Sequence, residues 1–161
     1  MNVIVDTNVP IVANRCAPQA SVWCVAICSE KLAEIREEHT LVLDDGWHIL
    51  GEYMHNLCSE GQPGPGDAFL KWVLTNRANP ERCELVPITS QDEGFAEFPG
   101  DRELADFDPS DRKFVAVAIA HPEHPHIQNA TDSDWWHYRE VLEGHGVSVD
   151  FVCPDYDFKD L

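Results

Sequence analysis

Short apolar runs rich in β-branched residues alternate along this chain with longer stretches of helical period, and this alternation most constrains how it can fold. Val3, Ile4 and Val5 form the first run, too short for a helix and suited to a buried strand. Leu41, Val42 and Leu43 form the second. "CELVPIT" supplies a third, in which Pro87 lacks a backbone donor and points to a sheet edge or a strand end. A fourth run is centred on Ile127, and "VSVDFVCP" closes the series. Between the first two, "APQASVWCVAICSEKLAEIREEH" reads as one long amphipathic helix with a stripe of Val22, Val25, Ala26, Ser29 and Leu32. "TLVLDDGWHILGEYMHNL" passes from strand to helix, with Asp44 or Asp45 as cap and Leu50, Tyr53, Met54 and Leu57 as the buried face.

The remaining connections follow the same logic. "SEGQPGPGD" is a Pro/Gly connection to a short helix around Phe69 to Leu74. "QDEGFAEFPGDRELADFD" has no period and reads as an irregular acidic surface loop. It ends at "DPSDRKFVAVAIAH", where an Asp-Pro start and Phe114, Val115, Ala118 and Ile119 mark a capped, core-buried helix. "HPEHPHIQNATDSDWWHYREVLEGHG" gives a Pro-broken loop, the Ile127 strand, an acidic cluster, and a helix stopped by Gly144 or Gly146. Strands and helices alternating at this spacing predict a mainly parallel sheet between helices, a single-domain three-layer α/β/α sandwich. A chain of 161 residues suits one such domain.

Eleven Lys plus Arg against 29 Asp plus Glu leave a formal net charge of −18, a field that repels polyanions. Composition alone argues against a nucleic-acid substrate, unless some carboxylates gather around a metal and reverse the local sign. No apolar run reaches the length of a membrane span, and no basic region leads into an apolar segment with a cleavage site, so the expectation is a cytoplasmic protein without a membrane partner. Cys16, Cys24, Cys28, Cys58, Cys83 and Cys153 contain no CxxC pair and read as reduced thiols, those at core positions packing as small apolar residues.

Four carboxylates stand at comparable places in this framework. Asp6 follows the first strand, Glu52 lies in the helix after the second, Asp111 heads the capped helix, and Asp132 follows the Ile127 strand, with Asp134 two residues on. Ligand sites of parallel sheets lie beyond the carboxyl ends of strands. Each acid also has an ordinary reading: solvation for Glu52, a capping box with Asp108 for Asp111, and turn residues for Asp132 and Asp134.

"VIVDTN", "ILGEYMHNL", "DPSDRKFVAVA" and "TDSDWW", in that order and at these separations, resemble the PIN-domain nucleases, and the resemblance runs from Val3 to the last strand. It implies a divalent-metal-dependent endoribonuclease, the toxin or effector half of a bacterial toxin–antitoxin or defence system. Asp6, Glu52, Asp111 and Asp132 would be its acidic residues, with Asp134 as an additional acid and Thr7 and Asn8 supporting the first. Many relatives carry Thr or Ser two residues before the fourth acid. Here Ala130 stands there, leaving Thr131 or Asn129 to supply a polar group if one is supplied.

Oxygen donors suit Mg²⁺ or Mn²⁺, so no Ser, Cys or His nucleophile is needed. Asp6 and Asp111 are expected as direct ligands, Asp132 and Asp134 as ligands through water or to a second metal, and Glu52 as a member of the metal set that orients the metal or its water. Arg112, Lys113, Arg139 and Arg15 are the cations nearest these acids in sequence and are the expected RNA contacts. An antitoxin, a basic protein partner and a second copy in a homodimer are the expected protein partners. The competing expectation is a catalytically silent PIN-like interaction module whose acidic face binds a basic partner. His121, His124 and His126 sit in an extended Pro-containing loop without a spaced ligand set. Trp135 and Trp136 are candidates either for base stacking or for half-buried packing.

Overall fold

The computed structural model describes residues 1–60 and 64–158; Gly61, Gln62 and Pro63 of the Pro/Gly connection lie outside them. The elements are β1 (Asn2–Val5), α1 (Asn8–Ala13), α2 (Val22–Glu38), β2 (Thr40–Asp44), α3 (His48–Asn56), α4 (Pro65–Asn76), β3 (Cys83–Val86), β4 (Ser90–Gln91), β5 (Gly94–Phe95), α5 (Arg112–Ala120), β6 (His126–Asn129), α6 (Ser133–His137), α7 (Arg139–Gly144) and β7 (Val149–Phe151). Five strands form one parallel sheet in the order β3-β2-β1-β6-β7, flanked by helices. This is the α/β class expected, with a layering compatible with a three-layer sandwich.

Strand order explains where a site can form. β1 lies centrally, with Val3 paired to Leu41 of β2 on one side and Ile4 to Ile127 of β6 on the other. The chain runs outward through β2 and β3, then returns to the other side of β1 for β6 and β7, so the connections diverge at β1 and open a crevice beyond its carboxyl end. Val3, Ile4, Val5, Leu41, Val42, Leu43 and Ile127 are all buried, as strands covered on both faces must be. β3 is an edge strand ending just before Pro87, which removes only a donor facing outward.

Local chemistry sets several helix starts. Asp44 accepts from the backbone N–H groups of Gly46, His48 and Ile49 at 2.8–3.0 Å and so caps α3. Ile49, Leu50 and Tyr53 form its buried face, whereas Met54 is exposed. α4 starts with Pro65 at its first turn and is longer than the Phe69–Leu74 expectation. Its Gly66 is required by close approach, because a Cβ there would lie 2.1 Å from the Pro10 carbonyl oxygen.

Three expectations need correction. The sequence pattern places no helix between Asp6 and α2, yet α1 begins at Asn8 and buries Val9, Pro10, Val12 and Ala13. The buried face of α2 is Cys24, Cys28, Leu32 and Ile35, while Val22 is 86% exposed; apolar residues lie on both faces, and contacts made late in the chain choose between them. The acidic segment before Asp108 contains the β4–β5 hairpin and a 3₁₀ turn, and its Leu104 and Phe107 are fully buried.

The cysteines supply those late contacts. Cys24 and Cys153 form a disulfide across a sequence separation of 129, with the Cys28 sulfur 3.8 Å from that of Cys153. The expectation of reduced thiols fails here because local spacing carries no information about a pair brought together by the sheet. The disulfide joins the start of α2 to the segment after β7, where Ser21, the cap of α2, also donates to Asp155 at 2.6 Å. Closing so long a loop stabilises by about 4–5 kcal/mol in the chain-entropy model. A Cys24→Ser/Cys28→Ser variant, which leaves Cys153 no neighbouring thiol, should therefore melt roughly 10 °C below the oxidised wild type in thermal unfolding.

Candidate metal centre

Asp6 sits where β1 ends and is only 3% exposed. Its Oδ1 accepts from the backbone and side-chain N–H groups of Asn8 at 2.9 and 2.8 Å. Its Oδ2 accepts from the indole Nε1–H of Trp135 at 2.7 Å. Asn8 ties this carboxylate to the end of β6: its Oδ1 accepts from the Ala130 amide at 2.7 Å and its side-chain nitrogen also donates to Asn129 Oδ1 at 2.7 Å. Asn129 then accepts from the Asp132 amide and donates to the Asp132 carbonyl. Asp132 caps α6 by accepting from the Asp134 amide. One polar chain thus spans the crevice from Asp6 to Asp132.

Asp111 reaches the same point from the head of α5, where a 3₁₀ turn, Pro109–Asp111, precedes the helix. Asp108 caps that turn through the Ser110 amide and hydroxyl, both at 2.9 Å. Asp111 makes no capping hydrogen bond, so the capping-box alternative does not describe it. It is 6% exposed and its Oδ2 has no hydrogen-bond partner. Asp6, Asp111 and Asp132 each bring one carboxylate oxygen within 4.8 Å of the others. Asp134 belongs to a second such group with Asp108 and Asp111.

Burial and mutual repulsion raise Asp6, Asp111 and Asp134 from the ordinary Asp value. Burial acts first on Asp6, reinforced by the charges of Asp132 and Glu52 and opposed by the Asn8 and Trp135 hydrogen bonds. Asp111 is raised by burial, then by Asp6 and Asp132. Asp134 is raised by burial, then by Asp132 and Asp108. An orphaned buried oxygen among clustered carboxylates fits a hard divalent cation, which takes all-oxygen ligands and offsets the repulsion.

Glu52 stands beside this group rather than in it. Its Oε1 accepts from Lys113 Nζ at 2.9 Å and its Oε2 from the Thr7 hydroxyl. Lys113, expected at the RNA, is 8% exposed and also donates to the Ser110 carbonyl. Arg112 donates to the carbonyls of Ala105 and Phe107 and lies over the Phe98 ring. Arg139 lies 3.8 Å from the centre of the Trp136 ring and donates to its carbonyl. Arg15 is exposed, with φ 62°, on a cavity of about 680 Å³ lined by α1, α2 and Gly64. That cavity is lined by none of the acids.

Trp135 is fully buried and serves Asp6, not a base, and Trp136 packs on Phe151 and Phe158. Thr131 Oγ1 accepts from Gln19, while Asn129 joins the network. The histidines diverge: His121 pairs with Glu84, His126 with Asp150, and His124 meets the Ala118 carbonyl. The importance of Trp135 had one sequence signal, since a buried indole needs an acceptor, but nothing in the sequence indicated which acid accepts.

No protein-family model, curated protein or solved structure matches this chain. Among the described residues no helix is long and apolar enough to cross a membrane. Fold and site together define an α/β protein with a carboxylate cluster at the carboxyl edge of a parallel sheet.

The raised carboxyls make the metal-free protein pH-sensitive. Between the ordinary Asp value of about 3.9 and about 7 for folded Asp6, the folded state binds more protons than the unfolded state, so stability falls as pH rises. Thermal unfolding in EDTA should show the melting temperature declining by several degrees from pH 5 to 7. Asp6→Asn should flatten that decline, and saturating Mn²⁺ should raise the wild type more than the variant. A wild-type profile in EDTA that Asp6→Asn leaves unchanged would show that Asp6 is not raised.

Proposed function

We infer that this protein is a divalent-metal-dependent nuclease that hydrolyses RNA phosphodiester bonds. One observation carries this reading: Asp6, Asp111 and Asp132 converge beyond the carboxyl end of the central strand, with a buried Asp111 oxygen that no protein group satisfies. The order of motifs resembling the PIN-domain nucleases supports it.

Asp6, Asp111 and Asp132 would hold Mg²⁺ or Mn²⁺ directly or through its waters. When bound, the cation supplies the charge that activates a water for in-line attack and offsets the charge developing on the leaving oxygen. Asn8 and Trp135 fix the Asp6 carboxylate with neutral donors, which orient it without cancelling its charge. Lys113 and Thr7 hold Glu52 beside the cluster, where its free lone pairs can accept a hydrogen bond from water. Burial around Trp135 and Phe107 limits the competing solvent behind the acids.

A specific observation favours a second reading. Arg112, Lys113 and Arg139 are engaged with the protein's own carbonyls, rings and Glu52, leaving few cations for phosphates on a chain of net charge −18. A PIN-like module holding a basic partner, such as an antitoxin, would need none. Incubating purified protein with a mixed panel of RNA and single-stranded DNA in Mn²⁺, with an EDTA control, separates the two. Metal-dependent RNA cleavage is expected, and Asp6→Asn and Asp111→Asn should each lower it by roughly 100-fold or more while circular dichroism stays unchanged. Wild-type rates in both variants, or no cleavage by the wild type, would overturn the nuclease reading.

A further inference from the structure

Three cysteines meet where the start of α2 faces the segment after β7. Cys24, Cys28 and Cys153 are all buried, and their sulfurs lie within 4.8 Å of one another. Cys24 and Cys153 are joined as a disulfide, and the third sulfur, on Cys28, stands 3.8 Å from that of Cys153. We propose that, once this disulfide is reduced, Cys24, Cys28 and Cys153 bind a soft, thiol-seeking cation of the Cu⁺ class through three sulfur ligands. The proposal stands apart from the nuclease reading, since none of the three belongs to the carboxylate groups.

A structural disulfide needs two sulfurs, and the third carries the argument. Cys28 follows Cys24 by four residues, so α2 presents both on one face, and Cys153 completes a triangle from more than a hundred positions away. Burial pushes the Cys28 thiol up to about 12. Left to itself it stays neutral near pH 7 and attacks the neighbouring disulfide poorly, because the thiolate is the nucleophile. A coordinating metal deprotonates a thiol outright and so gives this sulfur a partner that burial denies it in water. Cys24 lies in the first turn of α2, its amide donating to the capping Ser21 hydroxyl at 3.0 Å. The positive end of that helix favours negative charge on the Cys24 sulfur.

The donor set selects the ion. Three sulfurs without an oxygen or nitrogen ligand suit a soft cation. Structural Zn²⁺ takes four ligands, and among the described residues no fourth His, Cys, Asp or Glu joins this group, whereas Cu⁺ is content with three. Cys153 also lines a cavity of about 200 Å³ with Trp136, Phe151, Pro154, Tyr156 and Phe158 among its walls, which gives a small ion or a reductant a way to the sulfurs. Reduction by a dithiol breaks the S–S bond: the dithiol supplies two electrons and two protons, closing to its own disulfide, and Cys24 and Cys153 become thiols. Cu⁺ then displaces thiol protons into solvent as the Cu–S bonds form. Disulfide and metal are alternatives at one place, so oxidation releases the ion.

The test uses the full chain carrying Cys16→Ser and Cys58→Ser, which removes the two exposed thiols. After reduction with dithiothreitol and anaerobic gel filtration, Cu⁺ is titrated against the chromogenic chelator bicinchoninate, and copper X-ray absorption counts the sulfur neighbours. The reduced chain should hold one equivalent with three sulfur neighbours, and the oxidised chain should not compete with the chelator. Adding Cys28→Ser should weaken the hold by roughly 100-fold or more and lower the count to two, since losing a ligand costs at least as much as losing one of its supporting groups. Cys28→Ser leaves the Cys24–Cys153 disulfide available, so its oxidised form should melt with the parent chain, and Cys28→Ala repeats the comparison with a side chain that cannot ligate. Two sulfur neighbours in the parent chain, unchanged affinity in both Cys28 variants, or equally tight copper in the oxidised chain would overturn the site.

Discussion

The 2.7 Å hydrogen bond from the Trp135 indole to Asp6 is the contact on which the site most depends. It joins the helix that follows β6 to the end of β1 and holds a buried carboxylate in place with a neutral donor. The distinction matters physically. A lysine or arginine in that position would fix Asp6 equally well but offset its charge, weakening any hold on a cation. Trp135 and Asn8 together give Asp6 three hydrogen bonds and no positive charge. Buried Lys113 is committed to Glu52 and the Ser110 carbonyl.

That contact is kept by packing rather than by further polar groups. Trp135 meets Phe107 and Phe114 edge-on, and Phe107 also contacts Phe98 and Tyr138. Aromatic pairs of this kind are worth about 0.5–1.5 kcal/mol beyond the area they bury. The acidic segment that supplies Phe98 and Phe107 therefore forms part of the wall behind the carboxylates. The same region supplies Asp108, which caps the turn that ends in Asp111, so one stretch contributes both the apolar support and the turn that places a site carboxylate.

What the sequence disclosed follows from what is local. Val3–Val5 and Leu41–Leu43 announce strands because burial on both faces demands continuous apolar residues. Asp6, Asp111 and Asp132 stand out because strand ends and helix heads are readable places. Asn8 bonding to Ala130, Trp135 bonding to Asp6, and Cys24 joined to Cys153 were not readable, because each pairs residues more than a hundred positions apart. The cationic residues misled for a related reason: nearness in sequence placed Arg112 and Lys113 at Asp111, but helix geometry sends successive side chains in different directions. Val22 and Val25 misled because a helix with apolar residues on two faces does not reveal which one the core takes.

The position of β1 has a consequence for the order in which the protein comes into being. β1 is made long before its partner β6 and the residues Trp135, Asp132 and Asp134, all of which follow it by more than about a hundred positions. Contacts of such long sequence separation form late, since the loop must close before they reward it. A growing chain can fold α2 and pair β2 with β3 while Asp6 still lacks Trp135 and Asp132. The carboxylate centre is thus withheld until the helix carrying Trp135 has been made, and a shorter chain carries no assembled centre.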